Sequence, residues 1–342
     1  LKIFLLEYIT AGGFNKHALP KNLLQEALLM RDALLRDFGT LSDVEVFTTY
    51  DVRLSKPNIG QALSITSNED AFSVWRSLLA DCDLALVVAP ETDYILTELT
   101  QMLIDNSIPN LGCKLPAVVI ASNKFDTYNM LKDAGILTIE TFMANVIDAS
   151  FFEHTQDGFI AKPAVGAGCE KTFYFQNLLE FKDWLADSIE QPNKIKNMVV
   201  QRYIMGQPAS ISALFKDGKA WLLSSNTQKV SMQVSKTKEV NLKYSGSVVN
   251  GLPEFTEQFT ELANKIANAL PDLNGFAGID VIISNKEIYV VEINPRITTS
   301  YIVLGKSLSI NPAALILKLA TNENFELPES MTNHSVTVDL HE

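Results

Sequence analysis

The chain has 342 residues, a formal net charge of −12, 47% apolar residues and 20% charged residues. That length exceeds one ordinary domain, so two or three are expected, and the acidic balance excludes the basic footprint of a nucleic-acid binder or of docking on an anionic membrane. No run approaches the roughly 18 to 20 apolar residues of a membrane span, Cys82, Cys113 and Cys169 form no C-x-x-C pair, and the four histidines form no H-x-x-x-H pattern, which leaves a reduced, cytoplasmic protein as the expectation.

Lys2 to Tyr8 reads as a buried strand; Glu7 interrupts its apolar opening, and no small-residue cleavage pattern follows. The loop Thr10-Ala11-Gly12-Gly13 leads to an amphipathic helix from about Lys21 to Phe38. Val44 to Thr48 is a second strand, and Leu84 to Ala89, apolar on both faces, is a central third. It ends at Pro90-Glu91-Thr92-Asp93, and Tyr94 to Asn106 is helical. This alternation marks an α/β layer with a parallel sheet over residues 1–118, whose ligands would lie at the strands' carboxyl ends.

A second unit, residues 119–205, opens with Ser122 capping a helix that runs to Ala134, where Gly135 stops it. Strands follow at Gly158 to Lys162 and Thr172 to Phe175, with the glycine-bearing turn P-A-V-G-A-G-C-E-K between them. A helix from Leu178 to Ser188 and a strand from Met198 to Tyr203 complete it. The third unit, residues 206–330, is α+β in character. Ser210 to Phe215 and Ala220 to Ser224 form a hairpin around Lys216-Asp217-Gly218-Lys219. A helix from Glu254 to Leu270 precedes G-F-A-G-I-D-V-I-I and I-Y-V-V-E-I-N-P-R.

That last hairpin is the most informative element. Strand side chains alternate faces, so Glu292 and Asn294 point the same way. A three-residue turn centred on Lys286 would set Asp280 directly across from Glu292. Two carboxylates and an amide oxygen then form the all-oxygen set that Mg²⁺ favours. A solvated sheet face is the alternative, but facing carboxylates repel without a cation, and carboxylates on apolar strands want a partner.

Lys162, at a strand end beside Gly166 and Gly168, could reach phosphate oxygens while backbone N–H groups approach them. Alone, G-x-G without a following G-K-[ST] reads first as an ordinary β-turn. Lys124 near a helix N-terminus is a weaker signal, since most helix lysines are simply solvated, but a cation there would reinforce an anion site. Arg296 follows Pro295, where it is either a surface residue or a guanidinium beside metal-bound phosphates.

In this order (lysine, lysine with a glycine loop, hinge strand, then D…E-x-N) the elements resemble the ATP-grasp superfamily, with residues 1–118 similar to its pre-ATP-grasp domain. By that resemblance Lys124 and Lys162 contact ATP phosphates, and the Gly166/Gly168 loop covers them. Gln201 meets the adenine amino group, and the backbone of Arg202 and Ile204 completes the adenine edge. Asp280, Glu292 and Asn294 bind two Mg²⁺ (or Mn²⁺) ions, and Arg296 stabilises charge on the transferred phosphoryl. Two departures stand out: Pro208 occupies the place of a ribose-binding acid, and Val165 that of an aspartate in D-G-x-G.

The segments E-Y-I-T-A-G-G at Glu7, A-P-E-T-D-Y-I-L at Ala89, N-L-G-C at Asn110 and E-I-N-P-R-I-T-T at Glu292 resemble the tyramine–glutamate ligases of methanofuran biosynthesis and their methylofuran relatives. The resemblance implies an ADP-forming carboxylate–amine ligase working through an acyl phosphate, joining L-glutamate to tyramine or tyrosine. A catalytically inactive ATP-binding regulator and an ATP-grasp kinase are the alternatives. The expected partners are a small carboxylate and an amine, with a homodimer left open. The Gly12-Gly13 loop, Pro90 to Tyr94 and Asn226 to Gln228 are expected to line the acceptor pocket.

Overall fold

In the computed structural model the described residues are 1–145, 157–166, 171–189, 197–234 and 240–340. They build three sheets. The first holds β1 (Lys2–Glu7), β2 (Glu45–Asp51), β3 (Gln61–Ile65) and β4 (Leu84–Val88), all parallel in the order β3-β2-β1-β4. The helices α1 (Lys21–Gly39), α2 (Ala71–Leu79) and α3 (Ile95–Asp105) connect and cover it. β1 and β4 lie side by side and are buried on both faces, which is why they read as continuous apolar runs. The chain leaves β1 toward β2 and returns on the other side at β4, so a crevice opens at the carboxyl ends of these two strands.

β3 and α2 are not anticipated by the sequence reading. β3 alternates exposed and half-buried residues at the sheet edge, and α2 is signalled mainly by Asp70, whose side chain accepts from the Ser73 N–H.

The loop after β1 is packed inward. Glu7 accepts hydrogen bonds from the Thr10 N–H at 2.8 Å and its hydroxyl at 2.7 Å. Gly12 has φ 101°, and a Cβ there would stand 2.9 Å from Ile65; one on Gly13 would stand 2.4 Å from the Tyr8 ring. Packing within the loop therefore accounts for both glycines.

Helices α4 (Leu115–Ser122) and α5 (Lys124–Asp133) lead to the second sheet. Asn123 caps α5, accepting from the N–H groups of Phe125 and Asp126. Ser122, the expected cap, instead ends α4, because the helix break falls one residue later. β5 (Thr141–Met143), β6 (Phe159–Pro163), β7 (Phe173–Phe175) and β8 (Met198–Arg202) then form an antiparallel sheet in the order β5-β8-β6-β7. With α6 (Leu178–Ile189) it has its own small core around Phe159, Phe175 and Phe181.

The third sheet runs β13-β12-β9-β10-β11-β14. Its strands are β9 (Gln207–Lys216), β10 (Lys219–Val234), β11 (Val240–Val249), β12 (Gly275–Ser284), β13 (Glu287–Asn294) and β14 (Val336–Asp339). Helices α7 (Thr256–Ala269), α8 (Tyr301–Leu308) and α9 (Pro312–Thr321) pack on it. The expected hairpin at Asp217-Gly218 is present but its arms are longer, and β14, beyond residue 330, pairs with β11. One apolar cluster joins Phe4, Val87 and Leu99 of the first unit to Ile211, Phe259 and Val290 of the third. Gly275 seals this junction: its φ is 68°, and a Cβ there would meet the Leu111 carbonyl at 2.2 Å.

Candidate active site

The β12–β13 hairpin turns on two residues, Asn285 and Lys286, both left-handed at φ 50° and 69°, with Ser284 opposite Glu287. Continued regularly, that register would set Asp280 opposite Val291. A bulge intervenes: Val281 pairs with Val290 and Asp280 with Glu292, leaving Val291 unmatched. The expected three-residue turn is absent, yet the expected pairing holds because the bulge supplies the extra residue.

Asp280 also lies opposite Ser210 on β9, and Ser210 opposite Asn226 on β10. A polar row thus crosses four adjacent strands. Gln228 donates to Asp280 Oδ1 at 2.8 Å, and the Asn294 amide donates to Asp280 Oδ2 at 3.1 Å. Asn226 is fully buried and donates to Ser210 and Ser212. Burial and the facing charge of Glu292 push Asp280 up to about 7. Burial also opposes ionisation of Glu292, but Lys124, Lys162 and Arg296 outweigh it and hold that carboxyl below its ordinary value.

These three cations approach from different elements. Lys124 opens α5; its ammonium donates to the Gly166 carbonyl at 2.7 Å and stands 3.9 Å from Glu292 Oε2. The Lys124 N–H also bonds the Ala164 carbonyl, tying the start of α5 to the glycine turn. Lys162 lies on β6 opposite Val199, with its charge felt at Glu292. Gly166 has φ 148°, a conformation that favours glycine. Gly168 lies outside the described residues.

Arg296 reaches across the domain junction. Its Nε donates to Glu91 Oε1 at 2.8 Å and its Nη2 to Glu91 Oε2 at 2.9 Å, a two-pronged pair buried at the Glu91 end and half-buried at the arginine. Nη2 also reaches Asn294 Oδ1 at 3.4 Å. Burial opposes the guanidinium charge, yet Glu91, with Glu26 and Glu292 farther off, keeps its pKa above the ordinary value. Glu91 stands just past β4, followed by Asp93 and Tyr94 at φ 53° and 60°, two consecutive left-handed non-glycine residues. Glu91, Ser122, Lys124, Gly166, Glu292 and Asn294 line one small cleft. Ser122 is buried, and its hydroxyl has no hydrogen-bond partner among the described residues.

At the far end of the middle sheet, Gln201 on β8 lies opposite Thr141 on β5, and its Nε2 donates to the Thr141 hydroxyl at 2.8 Å. Arg202 pairs with Glu140 at 3.1 Å, and Ile204 lies between β8 and β9. Pro208, on β9 opposite Ile282, offers no donor or charge.

Comparison with known proteins gives a match of residues 121–300 to the ATP-grasp domain and of residues 44–118 to the pre ATP-grasp 3 domain. The chain belongs to the ATP-grasp family. The tyramine–L-glutamate ligase of Methanocaldococcus jannaschii is 29% identical over 98% of this chain and 94% of its own length. A crystal structure of an ATP-grasp superfamily protein from Archaeoglobus fulgidus superposes with a TM-score of 0.70 at 20% identity, covering 99% of this chain and 100% of that one. The biotin carboxylase domain of Hydrogenobacter thermophilus 2-oxoglutarate carboxylase, solved with ADP, MgADP and bicarbonate, gives 0.71 at 15% identity over 97% and 72% of the two chains. These likenesses at low identity establish the shared fold.

Within this ATP-grasp chain, Lys124, Gly166, Glu292, Asn294 and Arg296 converge with Asp280, and Lys162 is near enough for its charge to act on Glu292. Gln201, Arg202 and Ile204 form a separate group at the strand joining the second and third sheets. The donor set fits a hard divalent cation: two facing carboxylates, one with its proton affinity raised by the other, beside an amide oxygen. The sequence offered Glu91 only as part of the acceptor-lining segment Pro90 to Tyr94, not as the partner of Arg296, and did not single out the Ser122 hydroxyl as a site group. The position of Glu91 directly after a doubly buried strand is the signal that points to it. Of the expected acceptor-lining segments, Gln228 and Glu91 reach the cleft groups, whereas Gly12 is buried against Ile65.

Proposed function

We propose that this protein is an ATP-dependent, ADP-forming carbon–nitrogen ligase that joins L-glutamate to tyramine (or tyrosine) through an acyl phosphate, in furan-cofactor biosynthesis. The observation that carries this reading is the Asp280–Glu292–Asn294 set, ringed by Lys124, Lys162 and Arg296. The near full-length likeness to a tyramine–L-glutamate ligase supports the substrate pair.

In this reading residues 1–118 carry the acceptor side, residues 119–205 cover the nucleotide, and residues 206–330 supply the metal ligands. Gln201 spends its amide N–H on Thr141, leaving its carbonyl oxygen to accept from the adenine amino group. The backbone of Arg202 and Ile204 completes the base edge. Lys124, Lys162 and the turn with Gly166 and Gly168 bind phosphate oxygens.

Asp280, Glu292 and Asn294 would hold Mg²⁺ (or Mn²⁺), which when bound neutralises phosphate charge and orients the nucleotide. The substrate carboxylate oxygen attacks the γ-phosphorus, the bond to the β-phosphate oxygen breaks, and ADP leaves. Arg296 stabilises charge spread over the transferred group. The amine nitrogen then attacks the acyl carbon, phosphate departs with the bonding pair, and the nitrogen loses its proton to give the amide. The chain's contribution is placement and charge, so no nucleophilic side chain is required.

The test is isotopic. With L-glutamate labelled by heavy oxygen in its side-chain carboxylate, one labelled oxygen should appear in the released phosphate. Unlabelled phosphate alongside amide product would overturn the acyl-phosphate route.

A further inference from the structure

Glu91 belongs to the first unit and is locked by two hydrogen bonds to Arg296, whose charge acts on Glu292. Arg296 presents a permanent positive charge beside a site built for a divalent cation. Its Nη2 already touches Asn294 Oδ1, and its charge is felt at Glu292. A guanidinium pairs readily with carboxylates through two parallel bonds. Released from Glu91, Arg296 could fold onto Glu292 or Asp280 and act as an internal competitor for the metal. Lys124 shows the same arrangement on the other side: its ammonium is 3.9 Å from Glu292 but is held at 2.7 Å by the Gly166 carbonyl.

We propose that Glu91 is a positioning residue that holds Arg296 off the carboxylates, keeping them open for the divalent cation while aiming the guanidinium at the transferred phosphoryl group. The inference rests on the metal-site reading above. The backbone supports it: the turn that places Glu91 carries two consecutive left-handed non-glycine residues, Asp93 and Tyr94, a conformation that costs free energy and persists when the surroundings demand it. The bond network also runs onward, from Glu91 through Arg296 and Asn294 to Asp280 and Gln228.

The experiment is a Mn²⁺ titration of the full chain at saturating ADP, read by electron paramagnetic resonance, on the wild type and on Glu91→Gln, Arg296→Gln, the double variant and Glu292→Gln. Glu292→Gln defines the protein-bound metal signal. The expected result is Mn²⁺ affinity weakened about tenfold or more in Glu91→Gln, the size typical of losing a residue that orients metal ligands. Affinity should return to near the wild-type value in the double variant, where the competing cation is gone, while ligase turnover stays low. Glu91→Asp should keep most of the affinity. Equal Mn²⁺ affinity in Glu91→Gln and wild type, or failure of Arg296→Gln to restore it, would overturn the inference alone. No difference between Glu292→Gln and wild type would overturn the metal-site reading with it. Far-ultraviolet circular dichroism and thermal unfolding of each variant separate loss of fold from loss of metal.

Discussion

Asp280 faces Glu292 because β13 carries one residue more than its partner strand at Val291. The bulge does two things at once: it brings the carboxylates opposite each other and keeps Asn294 on the same face. Neutralising one of the facing pair should be decisive. Glu292→Gln is expected to lower turnover by on the order of 10³-fold, comparable to losing a key electrostatic group, with the unfolding midpoint little changed. Near-normal turnover would remove Glu292 from the site.

The pair also sets a pH dependence. Asp280 is pushed up to about 7 by burial and by Glu292, so the folded, metal-free protein holds a proton that the unfolded chain releases near its ordinary value of about 3.9. A raised folded-state pKa contributes stability at low pH that is lost as pH rises through the folded value. The metal-free melting temperature should therefore fall between about pH 4 and pH 7 from this group, and Mg²⁺ should raise it more at pH 8 than at pH 5. Asp280→Asn should flatten both trends in calorimetric scans.

Lys162→Ala should weaken ATP binding by roughly 10- to 100-fold, the worth of one charge-assisted hydrogen bond of about 1.5–3 kcal/mol. Isothermal titration with a non-hydrolysable ATP analogue reads this directly. Unchanged affinity would remove Lys162 from the nucleotide site.

Thr141→Val removes the acceptor that orients Gln201. The amide is then free to turn and offer its N–H₂ to the base, so preference for ATP over GTP should shrink. Competition binding of the two nucleotides measures it, and an unchanged ratio would contradict the assigned orientation of Gln201.

Much of this arrangement was legible in the chain, and the exceptions have physical causes. The buried strands β1 and β4 and the hairpin carrying Glu292 and Asn294 stand out because alternation and apolar runs are local properties. The turn geometry is not legible locally, since a two-residue turn plus a bulge gives the same pairing as a three-residue turn. The Glu91–Arg296 pair spans 205 residues of sequence and leaves no local periodicity to detect. β3 and β14 escaped notice as short edge strands with partly exposed faces. The helix break at Asn123 was displaced by one residue because Ser122 and Asn123 are both competent caps.

The most direct test of the central claim is ADP release by the purified protein with Mg·ATP and L-glutamate, adding tyramine, tyrosine or neither. Amine-dependent release, with a product of glutamyl-amide mass, is the expected result and names the amine. ADP formed without any amine, accompanied by a stable phosphorylated product, or ATP binding without turnover on any of these mixtures, would contradict it.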